Sequence, residues 1–147
     1  MNGIQQIIKE NGYNKCNCPN SSHVPDPMSI INNFIIEYYR NVSNVGWNSI
    51  MYLFDPNCTV ICKDKKLGNA YDMLNAFSTE YIKRANYDSL RIKSVIIDNN
   101  NVLVNVFGNI QFVSFNGNKS KVFTFSESFI LSSINGYVKC TQHIFDW

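Results

Sequence analysis

Two side chains near the C-terminus have the chemistry of acid–base work. Glu127 stands in Phe125-Ser126-Glu127-Ser128-Phe129, so in an extended strand it shares a face with Phe123, Phe125, Phe129 and Leu131. A carboxyl group held among those rings has its charged form disfavoured, which suits a general acid or base. The plainer reading is a carboxyl group satisfied by Arg91 of a neighbouring strand, by a tyrosine, or across a dimer interface. His143 has the parity of Phe145 in the last strand, and an imidazole titrates near neutrality. A lone strand histidine is more often hydrogen-bonded or exposed. Tyr38 and Tyr39 could orient a carbonyl, but both fall in an apolar stripe and fit core positions whose hydroxyls need partners.

Other reactive residues form no recognisable site. Cys16, Cys18 and His23 stand close together, but C-x-C is not a usual zinc pair and a fourth ligand is missing. Cys16, Cys18, Cys58, Cys62 and Cys140 make an odd set of 5, with no charged-then-apolar leader before them. Reduced thiols in an intracellular protein are the expectation. No Ser-His-Asp order, phosphate loop or metal set emerges, and no cofactor is expected. A net charge of +2 is too small to argue for nucleic acid. The densest basic group, Lys63, Lys65 and Lys66, is interrupted by Asp64 and reads as a solvated turn. No apolar run is long enough for a membrane span.

The elements that would position Glu127 and His143 are legible. Asn116-Gly117 and Asn135-Gly136 separate three strand-like runs, Val102–Phe115, Val122–Leu131 and Tyr137–Phe145. Asn-Gly tolerates the positive φ angles of tight hairpins. The spacing predicts an antiparallel meander with one apolar face and one wetter face. Its cover is a helix opened by Asp26-Pro27, with Ile30, Ile31, Phe34, Ile35, Tyr38, Tyr39 and Val42 in one stripe. A second helix is expected over Trp47–Leu53, stopped by Asp55-Pro56. A short strand, Cys58–Cys62, and a turn over Lys63–Lys66 come next. A third helix runs from Ala70 to about Glu80, capped by Asn69, with Tyr71, Leu74 and Phe77 inside. One more strand carries Leu90, Ile92, Val95 and Ile97, with a bulge near Lys93-Ser94. Residues 1–25 read as a partly ordered tail and 26–147 as a single domain.

That order of elements, with four motifs, resembles the nuclear transport factor 2 (NTF2) family. The motifs are Phe34-Ile35-Ile36-Glu37-Tyr38-Tyr39, Tyr52-Leu53-Phe54-Asp55, Phe125-Ser126-Glu127-Ser128-Phe129 and Cys140-Thr141-Gln142-His143-Ile144-Phe145. They are closer to the transport-factor and stress-granule-protein branch than to the enzyme branches. The resemblance implies an α+β cone, a curved antiparallel sheet wrapped by three helices from the N-terminal half. It implies a homodimer or heterodimer through the open sheet face. It also implies recognition of short Phe-containing peptides, such as the Phe-Gly motifs of nucleoporins or ribonucleoprotein (RNP) proteins. The matching groove positions are Ile30, Phe34, Leu53 and Phe145.

Some family residues are replaced. Cys62 stands where the transport factor has a glutamate, and Phe115–Lys119 lacks the acidic hairpin, which counts against Ran as a partner. The expected function is therefore a non-enzymatic interaction module of nucleocytoplasmic transport or RNP assembly. The alternative is a small-molecule isomerase or dehydratase of the same fold using Glu127 and His143.

Overall fold

The computed structural model describes residues 27–147. Asp26, the tail and its Cys16, Cys18 and His23 lie outside the described residues.

Helix α1 (Pro27–Asn44) buries Ile31, Phe34, Ile35, Tyr38, Tyr39 and Val42, the i, i+3, i+4 stripe of its sequence. Two residues beyond its end stands Gly46, whose φ of 134° lies outside the range favoured by L side chains. A Cβ there would stand 2.5 Å from the Lys83 carbonyl oxygen. The expected second helix is instead two 3₁₀ turns, Trp47–Ser49 and Met51–Leu53. The chain passes straight into β1 (Phe54–Cys62), so Asp55-Pro56 belongs to the start of a strand and stops no helix. Pro56 is tolerated there because the pairing with the neighbouring strand is irregular between Phe54 and Thr59.

After a tight turn at Lys63, β2 (Lys65–Leu67) pairs back onto β1, where sequence reading expects only a turn. Helix α2 (Ala70–Thr79) is capped as expected, the Asp72 amide donating to Asn69 Oδ1 at 3.1 Å. Its buried side chains are Ala70, Met73 and Phe77, while Tyr71 is 60% exposed, contrary to expectation. Two α-helices and two 3₁₀ turns thus replace the three expected helices among the described residues.

The long strands are β3 (Ile82–Ile96), β4 (Asn101–Ser114), β5 (Lys119–Ile134) and β6 (Tyr137–Asp146). Both Asn-Gly pairs make hairpin turns. Asn135 and Gly136 each have positive φ, which gives the two-residue turn closed by the Ile134–Tyr137 pair. The bulge in β3 falls between Asp88 and Arg91, with Ser89 at φ 55°, earlier than expected. The six strands run in the order β2-β1-β6-β5-β4-β3. β1 lies parallel to β6, so the sheet is mixed and not purely antiparallel.

Alternation along the strands divides the sheet into two faces. Val104, Val106, Ile110, Phe112, Phe125, Glu127, Phe129, His143 and Phe145 point inward, under α1 and α2. Leu103, Asn105, Phe107, Thr124, Ser126, Ser128 and Ile144 point to the open face. Trp47 ties the wrap to the sheet, its ring 4.4 Å from Phe77 and 6.0 Å from Phe112 between centroids.

Candidate functional site

The acid–base candidates meet inside the cone. Glu127 lies opposite Phe145 and His143 lies opposite Phe129, so the two are diagonal neighbours on the inward face of β5 and β6. Helix α1 lowers Tyr38 and Tyr39 onto them. The Tyr38 hydroxyl donates to Glu127 Oε2 at 2.6 Å, and the Tyr39 hydroxyl donates to Oε1 at 2.8 Å. His143 Nε2 is 2.6 Å from Oε2. Glu127, Tyr38 and Tyr39 have no exposed surface and His143 has 1%.

Rings close the site on every side. Phe129 lies 5.0 Å and Phe54 5.4 Å from the His143 ring, and Tyr87 packs edge-on against Tyr39 at 4.8 Å. Burial pushes the hydroxyls of Tyr38, Tyr39 and Tyr87 well above the ordinary tyrosine range, and the Glu127 carboxyl group adds to the effect. All three are therefore held as O–H donors. The Cys62 thiol is pushed up to about 11, mainly by its own burial.

Arg91, considered as a partner for Glu127, is on the opposite face beside Phe107. Tyrosine is the partner in fact, twice, and His143 joins it. Two buried polar atoms around this cluster have no hydrogen-bond partner: His143 Nδ1 and Tyr87 Oη. Tyr87 was missed in the sequence because it stands just before the β3 bulge, where strand parity stops being readable. Among the described residues no set of three or more His, Cys, Asp or Glu side chains could hold a metal.

The expected peptide-groove residues are placed differently. Phe34 and Leu53 are 4% and 5% exposed, Phe145 is fully buried, and Ile30 is half-buried. The Phe34 ring packs 5.7 Å from Phe129, and Phe145 lies against Phe125, Trp47 and His143. Phe34, Leu53 and Phe145 are thus side chains of the core.

An open groove of about 330 Å³ lies one residue away from Leu53. Met51, Tyr52, Pro56, Tyr71 and Lys139 line it, between the second 3₁₀ turn and the start of α2. Tyr52 and Tyr71 are 50% and 60% exposed. The Lys139 ammonium donates to the Tyr52 carbonyl oxygen and sits 6.0 Å above its ring. A second concavity, of about 550 Å³, lies on the open sheet face around Phe107 and Ser126.

These features define a class: an NTF2-like α+β cone whose buried carboxyl cluster is closed and whose sheet face and tyrosine groove are open. No protein-family model matches the chain, and no curated protein matches it in sequence. Its solved structural neighbours share this fold. It is similar to nuclear transport factor 2 from Cryptosporidium parvum, at 20% identity and a TM-score of 0.66, over 84% of this chain and 98% of that one. It is also similar to a candidate scytalone dehydratase from Novosphingobium aromaticivorans, at 9% identity and a TM-score of 0.65, over 80% and 81% of the two chains. A candidate aromatic ring hydroxylase from the same organism gives 10% identity and a TM-score of 0.66, over 84% and 92%. The neighbours thus include a transport factor and enzyme-type proteins, and at these identities they establish the fold alone.

Proposed function

We propose that the chain is a non-enzymatic interaction module of the transport-factor type, which dimerises through its open sheet face and binds short Phe-containing peptides. Its setting would be nucleocytoplasmic transport or RNP assembly. The observation that carries this reading is the burial of Glu127. Its two oxygens are engaged by Tyr38, Tyr39 and His143, and no surface of the carboxyl group is left for a substrate. A catalytic acid or base must come within hydrogen-bond reach of the proton that it moves.

The groove between Tyr52 and Tyr71 is the place for a peptide ring. Two exposed phenol faces offer apolar contact at low entropic cost, and Lys139 and the Tyr71 hydroxyl provide polar ends. Calorimetric titration of the full chain with a Phe-Gly repeat peptide tests this. Saturable binding is expected, weakened at least tenfold in Tyr71→Ala with the oligomeric state unchanged. No heat from the wild-type chain, or equal affinity in Tyr71→Ala, would remove the peptide assignment.

The second reading, a small-molecule isomerase or dehydratase using Glu127 and His143, is favoured by one observation. His143 Nδ1 and Tyr87 Oη are buried without partners close to the carboxyl group, as donors and acceptors awaiting a ligand would be. Titrating small cyclic ketones in place of the peptide gives this reading its own arm. Binding that is lost in Glu127→Gln would move the assignment to chemistry.

A further inference from the structure

The parallel strands β1 and β6 lose step with each other at one place. Phe54 pairs with Cys140 and Thr59 with Gln142, so β1 advances five residues (54 to 59) while β6 advances two (140 to 142). The surplus of β1 loops outward, with Asp55 half-buried and Pro56 and Asn57 exposed. The chain then turns back in at Cys58, which has no exposed surface. β6 is irregular at the same level, since Thr141 is passed over between the Ile130–Gln142 and Leu131–Cys140 pairs. Cys140, also without exposed surface, is thereby laid against Cys58, close enough for one thiol to hydrogen-bond to the other. Each sulfur also has a backbone carbonyl in reach, Thr59 at 3.6 Å from Cys58 Sγ and Gln142 at 3.1 Å from Cys140 Sγ.

Two thiols in contact on neighbouring strands meet the geometric need of a disulfide. Neighbouring strands stand about 4.8 Å apart, inside the Cα separation of about 4.4–6.8 Å that the bond spans. What keeps the pair reduced is access. Burial first, and then the contact with Cys58, push the Cys140 thiol well above the usual thiol range. The thiolate is the reactive form, so the pair reacts when the seam between β1 and β6 opens. Among the described residues, positions 55–58 of β1 have no ladder partner on β6. Backbone held so weakly belongs to the part of a fold that opens first. Cys62 lies further along β1, opposite Phe145, and is separate from the pair.

We propose that Cys58 and Cys140 form a reversible disulfide when the chain meets hydrogen peroxide, and that this bond locks the loose start of β1 onto β6. One thiolate attacks a peroxide oxygen and the O–O bond breaks. That sulfur becomes a sulfenic acid, and the hydroxide that leaves takes up the thiol's proton as water. The second sulfur then attacks the sulfenic sulfur. The S–S bond forms, the S–O bond breaks, and a second water leaves with the second thiol's proton. Two electrons pass in all, from the two sulfurs to the peroxide. Phe54, Asp55, Pro56 and Lys139 flank the pair and also line the groove of Tyr52 and Tyr71, so the bond stiffens one wall of that groove. The lock is independent of what the groove binds.

The full-length chain carrying Cys16→Ser, Cys18→Ser and Cys62→Ser keeps this pair alone. Treated with hydrogen peroxide while folded, it is expected to lose both thiols and about 2 Da within one chain, with both restored by dithiothreitol. Non-reducing digestion of the wild type should join the peptide that carries Cys58 to the one that carries Cys140. Amide exchange over residues 54–60 should slow at least about tenfold in the oxidised chain. Cys58→Ala and Cys140→Ala, each checked for folding by circular dichroism, should show neither the bond nor the slowing. Three results each overturn the proposal. They are thiols that survive a peroxide dose sufficient to oxidise free glutathione, a bond between two chains instead of within one, and a bond that leaves exchange unchanged.

Discussion

Replacing Glu127 by leucine removes the acceptor around which the core is hydrogen-bonded. In the native chain the carboxyl oxygens take the Tyr38 hydroxyl at 2.6 Å, the Tyr39 hydroxyl at 2.8 Å and His143 Nε2 at 2.6 Å, all without solvent access. Leucine fits the apolar surroundings of Phe125 and Phe129, but it accepts nothing. Each buried polar group left without a partner costs about 1–3 kcal/mol. Three such groups give about 3–9 kcal/mol, less whatever is recovered by no longer burying a carboxyl group. Against a total stability of about 5–15 kcal/mol for an ordinary domain, the loss is severe.

Urea denaturation followed by circular dichroism, at neutral pH, measures it. We expect Glu127→Leu to lose at least about 3 kcal/mol, toward the low end of that range. Adding Tyr38→Phe and Tyr39→Phe should recover part of the loss, because the stranded hydroxyls are then gone. A loss below about 1 kcal/mol in Glu127→Leu would refute the reasoning, since the cluster would then contribute nothing that a leucine cannot.

Two further outcomes follow from the same structure. The hydroxyls of Tyr38, Tyr39 and Tyr87 are raised well above 10 in the folded chain, by burial first and Glu127 second. Their contribution is therefore complete below pH 10, where the unfolded tyrosines also hold their protons. It is lost as pH rises beyond that, with a slope of up to about 4 kcal/mol per pH unit for three groups. Denaturation midpoints between pH 9 and 11 should show the fall, and Tyr38→Phe should lessen it by about a third. Gly46→Ala should cost about 1–3 kcal/mol, because its Cβ meets the Lys83 carbonyl oxygen at 2.5 Å in a left-handed backbone. Gly117→Ala meets nothing within 4 Å and should melt closer to the wild type.

Much of this architecture is written locally. The Asn135-Gly136 pair has positive φ at both residues and sets the β5–β6 register as far as the Leu131–Cys140 pair, beyond which the pairing shifts by one residue. The apolar stripe of α1 and the alternation of β5 each name their buried faces without help from the rest of the chain. Local rules failed where two signals compete within a few residues. Trp47–Leu53 has helical spacing, but only seven residues separate Gly46 from the first residue of β1, and the chain takes two 3₁₀ turns instead. Tyr71 has the period of the α2 stripe yet faces outward, since Met73 and Phe77 are the side chains that reach the sheet.

The sequence by itself determined that Glu127 and His143 face the apolar side of their strands, and that Tyr38 and Tyr39 face the same layer from a helix. Periodicity sets the direction in which a side chain points, and needs no knowledge of distant neighbours. Only the tertiary structure decided that the four groups meet. Their contact depends on where α1 crosses the sheet and on the β5–β6 register, and Tyr38 is separated from Glu127 by 89 positions along the chain. The same packing closed the interior over Phe34 and Phe145 and left Tyr52 and Tyr71 outside. Whether a ring lines a groove or fills a core is settled by what lies above it, and no local pattern carries that information.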